Sequence, residues 1–171
     1  MNFSKILTLW YSKNKRDLPW RNTRDPYKIW LSEIILQQTQ VKQGLPYYES
    51  FLKAFPSVVT LANAKEEDVL KLWQGLGYYS RARNLHDTAK IIHKELNNEF
   101  PNSYSGLIKL KGIGDYTASA IASFCYNAPC AVVDGNVYRV LSRIFGIDTP
   151  INSSKGIKLF KILAEDKLNK V

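Results

Sequence analysis

Between Ile29 and Val41 the chain reads Ile-Trp-Leu-Ser-Glu-Ile-Ile-Leu-Gln-Gln-Thr-Gln-Val. Apolar side chains at positions 29, 30, 34 and 36 cover most of a helical surface, the pattern of a buried helix rather than a surface one. Glu33 stands in the middle of it, and the polar run Gln37-Gln38-Thr39-Gln40 follows. At helical spacing Glu33 faces the same way as Ile29, Trp30, Leu36 and Gln37. A carboxylate so placed lies either on a narrow solvated strip or in a pocket. Periodicity alone favours the strip, since glutamate is seldom fully buried without a partner.

The rest of the chain alternates short apolar periods with stop signals, and every period is helical. Residues 3–13 predict an amphipathic helix with Ile6, Leu7, Leu9, Trp10 and Tyr11 inward, and 14–27 a basic connector containing Pro19 and Pro26. A helix over 29–40 follows, then one that holds Pro46 in its first turn and runs to Phe55. Ser57 caps a short helix to Ala62, and 65–74 is amphipathic through Val69, Leu70, Leu72 and Trp73. Gly75-Leu76-Gly77 ends that helix. The longest helix covers 80–97. A short one over 104–110 leads into a glycine turn at 111–115 and a small-residue helix over 116–126. Asp134 caps a helix to Ile144, with Val137, Val140, Leu141 and Ile144 on its apolar side, and Ser153 or Ser154 opens a last basic helix, 156–168. No strand pair and no repeat emerges, so the predicted fold is all-α.

Size and charge narrow the partners. The chain has 171 residues, 45% of them hydrophobic, enough for one domain or two small lobes with a sizeable core. Lys plus Arg number 24 against 15 Asp plus Glu, a net charge of +9 that points to a polyanion, nucleic acid first. No run approaches the roughly 20 apolar residues of a membrane span, and the start lacks a signal-peptide h-region. A cytoplasmic protein without membrane contact is expected. Cys125 and Cys130 fit no zinc or cluster spacing and read as reduced core or loop residues. His86 and His93 read as surface or internally satisfied residues, with no third ligand near in sequence, so no metal site is expected in this chain.

Two motifs carry chemistry. In Leu110-Lys111-Gly112-Ile113-Gly114-Asp115-Tyr116-Thr117 two helices meet at Gly-Ile-Gly. Gly112 and Gly114 permit a sharp turn and a close backbone approach, and N–H groups at the second helix start suit a phosphate oxygen. Such a contact positions DNA without specifying sequence, and the alternative is a plain glycine turn. In Val132-Val133-Asp134-Gly135-Asn136-Val137, Asp134 has the position of an N-cap. Its place shortly after the hairpin weakens that bland reading, because an acid near a bound backbone is electrostatically costly.

Leu18-Pro19-Trp20-Arg21, Ser32-Glu33-Ile34-Ile35-Leu36-Gln37-Gln38-Thr39, Gly75-Leu76-Gly77-Tyr78-Tyr79-Ser80-Arg81, the hairpin and Val133–Val137 stand in one order and spacing. Together, over about residues 3–165, they resemble the MutY-type adenine DNA glycosylases of the helix-hairpin-helix (endonuclease III) superfamily. The resemblance implies two helical lobes with the active-site cleft between them. One is a central domain, 22–131, with the helix-hairpin-helix at 105–126. The other is a partial terminal lobe of 1–21 and 132–171. It implies a monomeric, monofunctional N-glycosylase that removes adenine mispaired with 8-oxoguanine or guanine from double-stranded DNA. Residue by residue, Glu33 matches the catalytic acid, Asp134 the catalytic aspartate, and Tyr116 a residue assisting at the sugar. Gln38, Thr39, Leu76 and Tyr78 match residues that wedge into the duplex or touch the oxidised guanine. Arg16, Leu18, Trp20 and Arg21 match the adenine pocket and its surroundings, and Asn136 joins Gly112 and Gly114 among the DNA contacts.

Two family features have no counterpart in the sequence. The relatives carry four cysteines for a [4Fe-4S] cluster and a C-terminal domain resembling Nudix hydrolases. The chain stops at Val171 before either, and is expected to be a fragment or truncated gene product with weaker, less 8-oxoguanine-selective excision. Two further readings stay open. One is an endonuclease III-like glycosylase/lyase, which would need a lysine where Tyr116 stands. The other is a non-catalytic hairpin module that binds DNA without releasing a base.

Overall fold

The computed structural model describes residues 3–168. Its elements are α1 (Phe3–Asn14), a 3-10 turn at Pro19–Arg21, α2 (Pro26–Ile35), α3 (Val41–Ala54), α4 (Val58–Ala62), α5 (Glu66–Leu72), α6 (Ser80–Glu95), α7 (Tyr104–Leu107), α8 (Asp115–Tyr126), α9 (Gly135–Phe145) and α10 (Ser154–Asp166). Among the described residues there is no strand, and no helix is long and apolar enough to cross a membrane.

The core is built around α2. Asp25 caps it, accepting from the Tyr27 amide at 2.9 Å, and Pro26 occupies the first helical position, where its missing N–H is harmless. Ile29, Trp30, Leu31, Ile34 and Ile35 are all buried, so the helix is enclosed nearly all round by α3, α6 and α8. The small side chains of Ala118, Ser119, Ala120 and Ala122 let α8 lie close to it. Large rings fill the remaining space: Trp30 meets Phe100 edge-on at 5.4 Å, Trp73 meets Phe51 at 5.7 Å, and Trp20 meets Tyr48 at 5.1 Å.

Several boundaries differ from the sequence expectation. α2 stops at Ile35 instead of reaching residue 40, because Gln38 adopts a left-handed φ of +55°. α3 begins at Val41, which puts Pro46 inside the helix rather than in its first turn. α6 ends at Glu95, followed by left-handed Asn97 and Asn98. Ser57 does cap α4, accepting from the Thr60 amide at 3.2 Å. His86 is not a surface residue; it is buried on α6, and that burial pushes its pKa below the usual histidine range.

The largest difference lies in α1, α9 and α10. α9 and α10 pack through Tyr138 against the fully buried Phe160, with ring centroids 5.0 Å apart. α1 joins them through Phe3 on Phe145 and a hydrogen bond from Ser4 to the Lys167 carbonyl. The side chains expected inward do not pack: Ile6, Leu7, Leu9, Trp10, Tyr11 and Ile144 are all more than 40% exposed. Nothing among the described residues covers that face. Each such side chain forgoes about half of the roughly 1.5–3 kcal/mol that full burial contributes.

Candidate active site

Glu33 lies in the last turn of α2, in the wall that faces α8. Its neighbours Ser32 and Ile34 are buried, so the carboxyl emerges from apolar packing into a cleft of about 1170 Å³. Desolvation pushes its pKa up to about 7. The charge of Asp134 pushes the same way, while the nearby Tyr116 hydroxyl and the charge of Arg21 oppose it.

Tyr116 occupies the first turn of α8, directly after the glycine hairpin. Its phenol pKa is raised by burial first, then by the charges of Glu33 and Asp134. It therefore stays a neutral hydroxyl between two carboxyl groups.

Asp134 enters from the start of α9. Its Oδ1 accepts from the Asn136 and Val137 amides at 3.0 and 2.8 Å, and its Oδ2 accepts from the Asn136 side chain at 3.0 Å. It is thus a true N-cap, as its sequence position indicated. Three N–H donors thus converge on its carboxyl at the helix start. Folding brings Asp134 to the same cleft as Glu33, about 100 residues earlier in the chain.

Most of the other sequence candidates also line this cleft: Arg16, Leu18, Trp20, Arg21, Gln38, Thr39, Tyr78 and Asn136. Leu18 and Trp20 are anchored in the core and present only a small face, whereas Tyr78 is 67% exposed. Leu76, Gly112 and Gly114 stand apart. Leu76 is buried under its turn, and its carbonyl accepts from Arg81 at 3.1 Å. Gly112 has φ +75°, and a Cβ there would meet the Asn84 side chain at 2.7 Å, so both conformation and space require glycine. Gly114 has ordinary extended backbone with open space around it, so the turn itself does not need a glycine there.

The cleft includes residues that the sequence reading missed. Ser123, Phe124 and Asn127 follow Tyr116 by 7, 8 and 11 positions, the same face of α8, and line the cleft with it. Phe124 is 50% exposed, an apolar ring facing open space. Arg24 and Arg81 add to the positive lining. The helical spacing from Tyr116 was the available signal for the α8 residues.

A concave site with one carboxyl of raised pKa, a second carboxyl capping a helix, a phenol and several arginines suits acid-assisted departure of a base from an anionic polymer. Residues 31–164 match the model of the HhH-GPD superfamily of base excision DNA repair proteins. The chain belongs to this superfamily. An adenine DNA glycosylase of Buchnera aphidicola (subsp. Baizongia pistaciae) is 49% identical to it over 146 residues, which cover 85% of this chain and 42% of that protein. The human adenine DNA glycosylase is 42% identical over 161 residues, covering 89% of this chain and 30% of that protein. The chain thus spans less than half the length of these curated relatives. Among solved structures, a thermostable thymine-DNA glycosylase superposes with a TM-score of 0.87 at 27% identity, covering 96% of this HhH-GPD chain and 76% of the other.

A [4Fe-4S] cluster takes four cysteine thiolates. The cysteines present do not fit one. Cys125 and Cys130 are free and half-buried; burial pushes the Cys125 thiol up to about 12 and raises Cys130 as well, which disfavours thiolate. No group of three or more His, Cys, Asp or Glu among the described residues could hold a metal ion.

Proposed function

We propose that this chain hydrolyses the N-glycosidic bond of adenine mispaired with 8-oxoguanine or guanine in double-stranded DNA. The observation that carries the reading is the pairing of unlike carboxyls in one cleft: Glu33 with its pKa near 7, facing a capped Asp134. The adenine DNA glycosylases at 42–49% identity support the choice of base. The net charge of +9 and the arginines of the cleft support a duplex partner.

Adenine is a poor leaving group until a ring nitrogen is protonated. Glu33, protonated near neutral pH, donates that proton as the bond between C1′ and the base breaks. The departing base takes the bonding electron pair and the sugar is left as a cation. Ionised Asp134 stabilises the cation, and water then attacks C1′, giving up a proton to the Glu33 carboxylate and so restoring the acid. Tyr116 holds the Glu33 carboxyl in place and faces the sugar. Leaving the stack costs the base a few kcal/mol, offset by Gln38, Thr39 and Tyr78 entering the duplex and by contacts in the pocket lined by Leu18 and Trp20. On this reading the cleft separates a lobe of residues 22–131 from one of 1–21 and 132–171. The protein works as a monomer at the bacterial nucleoid.

A single-turnover assay on A:8-oxoG, A:G and A:C duplexes tests this. The chain is expected to release adenine from the first two, and Glu33→Gln to bind them without release. Turnover by Glu33→Gln at the unaltered rate would remove Glu33 from the mechanism.

A further inference from the structure

Arg81 is the second residue of α6, and its guanidinium reaches two other segments at once. Nη1 donates to the carbonyls of Ile34 at 3.1 Å and Ile35 at 3.4 Å, and also to that of Gln37. These are carbonyls at and just beyond the C-terminal end of α2, where helical partners run out and a positive charge meets the negative end of the dipole. Nη2 donates to the carbonyls of Leu76 at 3.1 Å and Gly77 at 3.3 Å, in the turn before α6. The guanidinium carbon stands 5.1 Å from the Trp73 ring centre and 5.7 Å from that of Tyr78.

The two segments so joined are the turns that carry Gln38 and Tyr78 into the cleft. Both residues have positive φ, +55° and +46°, a conformation that non-glycine residues keep only where their surroundings hold them. The two terminal nitrogens of one planar fork serve both turns, Nη1 the first and Nη2 the second, while Nε is buried without a partner. A lysine, with one compact charge and no plane to stack, could not.

We propose that Arg81 is a positioning residue that clamps the 36–40 and 75–79 turns into one rigid edge of the cleft, so that Gln38 and Tyr78 enter the duplex together and the target base leaves the stack. This rests on the adenine-excision reading above. The clamp acts on extrusion of the base, and neither on general duplex binding, which phosphate contacts supply, nor on bond cleavage itself.

The 171-residue chain carrying Arg81→Lys is compared with the unaltered chain in four measurements: thermal unfolding, affinity for a duplex with a non-cleavable adenine analogue, fluorescence of a 2-aminopurine target as it unstacks, and single-turnover excision. Excision is measured from an A:8-oxoG pair and from adenine opposite an abasic site, where no partner base holds it. The expected result is an unfolding midpoint within a few degrees and affinity within about threefold, since phosphate contacts dominate binding. Unstacking amplitude and excision from the pair should fall by about 10–100-fold, the scale of a small misplacement of reacting groups. Opposite the abasic site the excision loss should shrink to about threefold or less, because unpairing is already done. Equal loss from both substrates, or no loss from either, overturns the clamp. Should the unaltered chain excise nothing from any duplex, the adenine reading fails, and the clamp is then judged by amide exchange. Exchange at 36–40 and 75–79 at least about tenfold faster in Arg81→Lys upholds it, and equal exchange overturns it.

Discussion

The two walls of the cleft treat a carboxyl group in opposite ways. On the α2 side, Glu33 emerges between buried Ser32 and Ile34, and desolvation raises its pKa to about 7. On the α9 side, Asp134 sits at a helix start and accepts three N–H hydrogen bonds. The same functional group thus meets different surroundings: apolar packing raises the pKa of Glu33 on one wall, and N–H donors at a helix start hold the Asp134 carboxyl on the other. The walls also interact, since the charge of Asp134 helps to hold the proton on Glu33.

The sharpest break of this contrast comes from removing the acid. Glu33→Gln is expected to lose excision by on the order of 10²–10⁴-fold in single turnover, with duplex affinity retained in a gel-shift titration. Asp134→Asn keeps a cap-competent side chain but removes the charge. A loss of about 10²–10³-fold is expected, and full activity would leave Asp134 as a cap alone. Borohydride should trap no covalent DNA adduct, because the Tyr116 phenol cannot form a Schiff base; strong trapping would favour a lyase instead. Excision by the unaltered chain should be constant at acid pH. Above pH 7 it should fall by about tenfold per unit as Glu33 ionises, and a flat profile from pH 6 to 9 would separate the acid from the chemistry.

The smallest expected effect concerns stability, and its sign follows from the raised pKa. The folded state holds a proton on Glu33 that the unfolded chain releases above pH 4.5, so folding is opposed increasingly from about 4.5 to 7 and fully above 7. At pH 8, Glu33→Gln should therefore stabilise the fold by about 2 kcal/mol, a rise of about 5 °C in unfolding midpoint. Destabilisation by that substitution would mean that the ionised carboxylate is welcome in its wall.

Much of this was legible in the sequence, and the gaps have physical reasons. The apolar period around Ile29–Leu36 correctly indicated a buried helix. It favoured a solvated strip for Glu33, whereas the carboxyl lies desolvated in a cleft, because what faces a helix comes from elsewhere in the chain, here from Tyr116 and Asp134. The N-cap role of Asp134 was legible, since capping is local. The early end of α2 was not: its carbonyls go to Arg81, more than 40 positions away. The α1 period correctly marked a helix, yet Leu9 and Trp10 stay exposed, because periodicity identifies an apolar face without supplying the surface that covers it.

The most direct measurement is the titration of the Glu33 carboxyl by carbon-13 NMR, with Glu33→Gln assigning the signal. The account predicts a midpoint near 7 that moves down in Asp134→Asn, where the neighbouring negative charge is gone. A midpoint near 4.5, unmoved by that substitution, would contradict it.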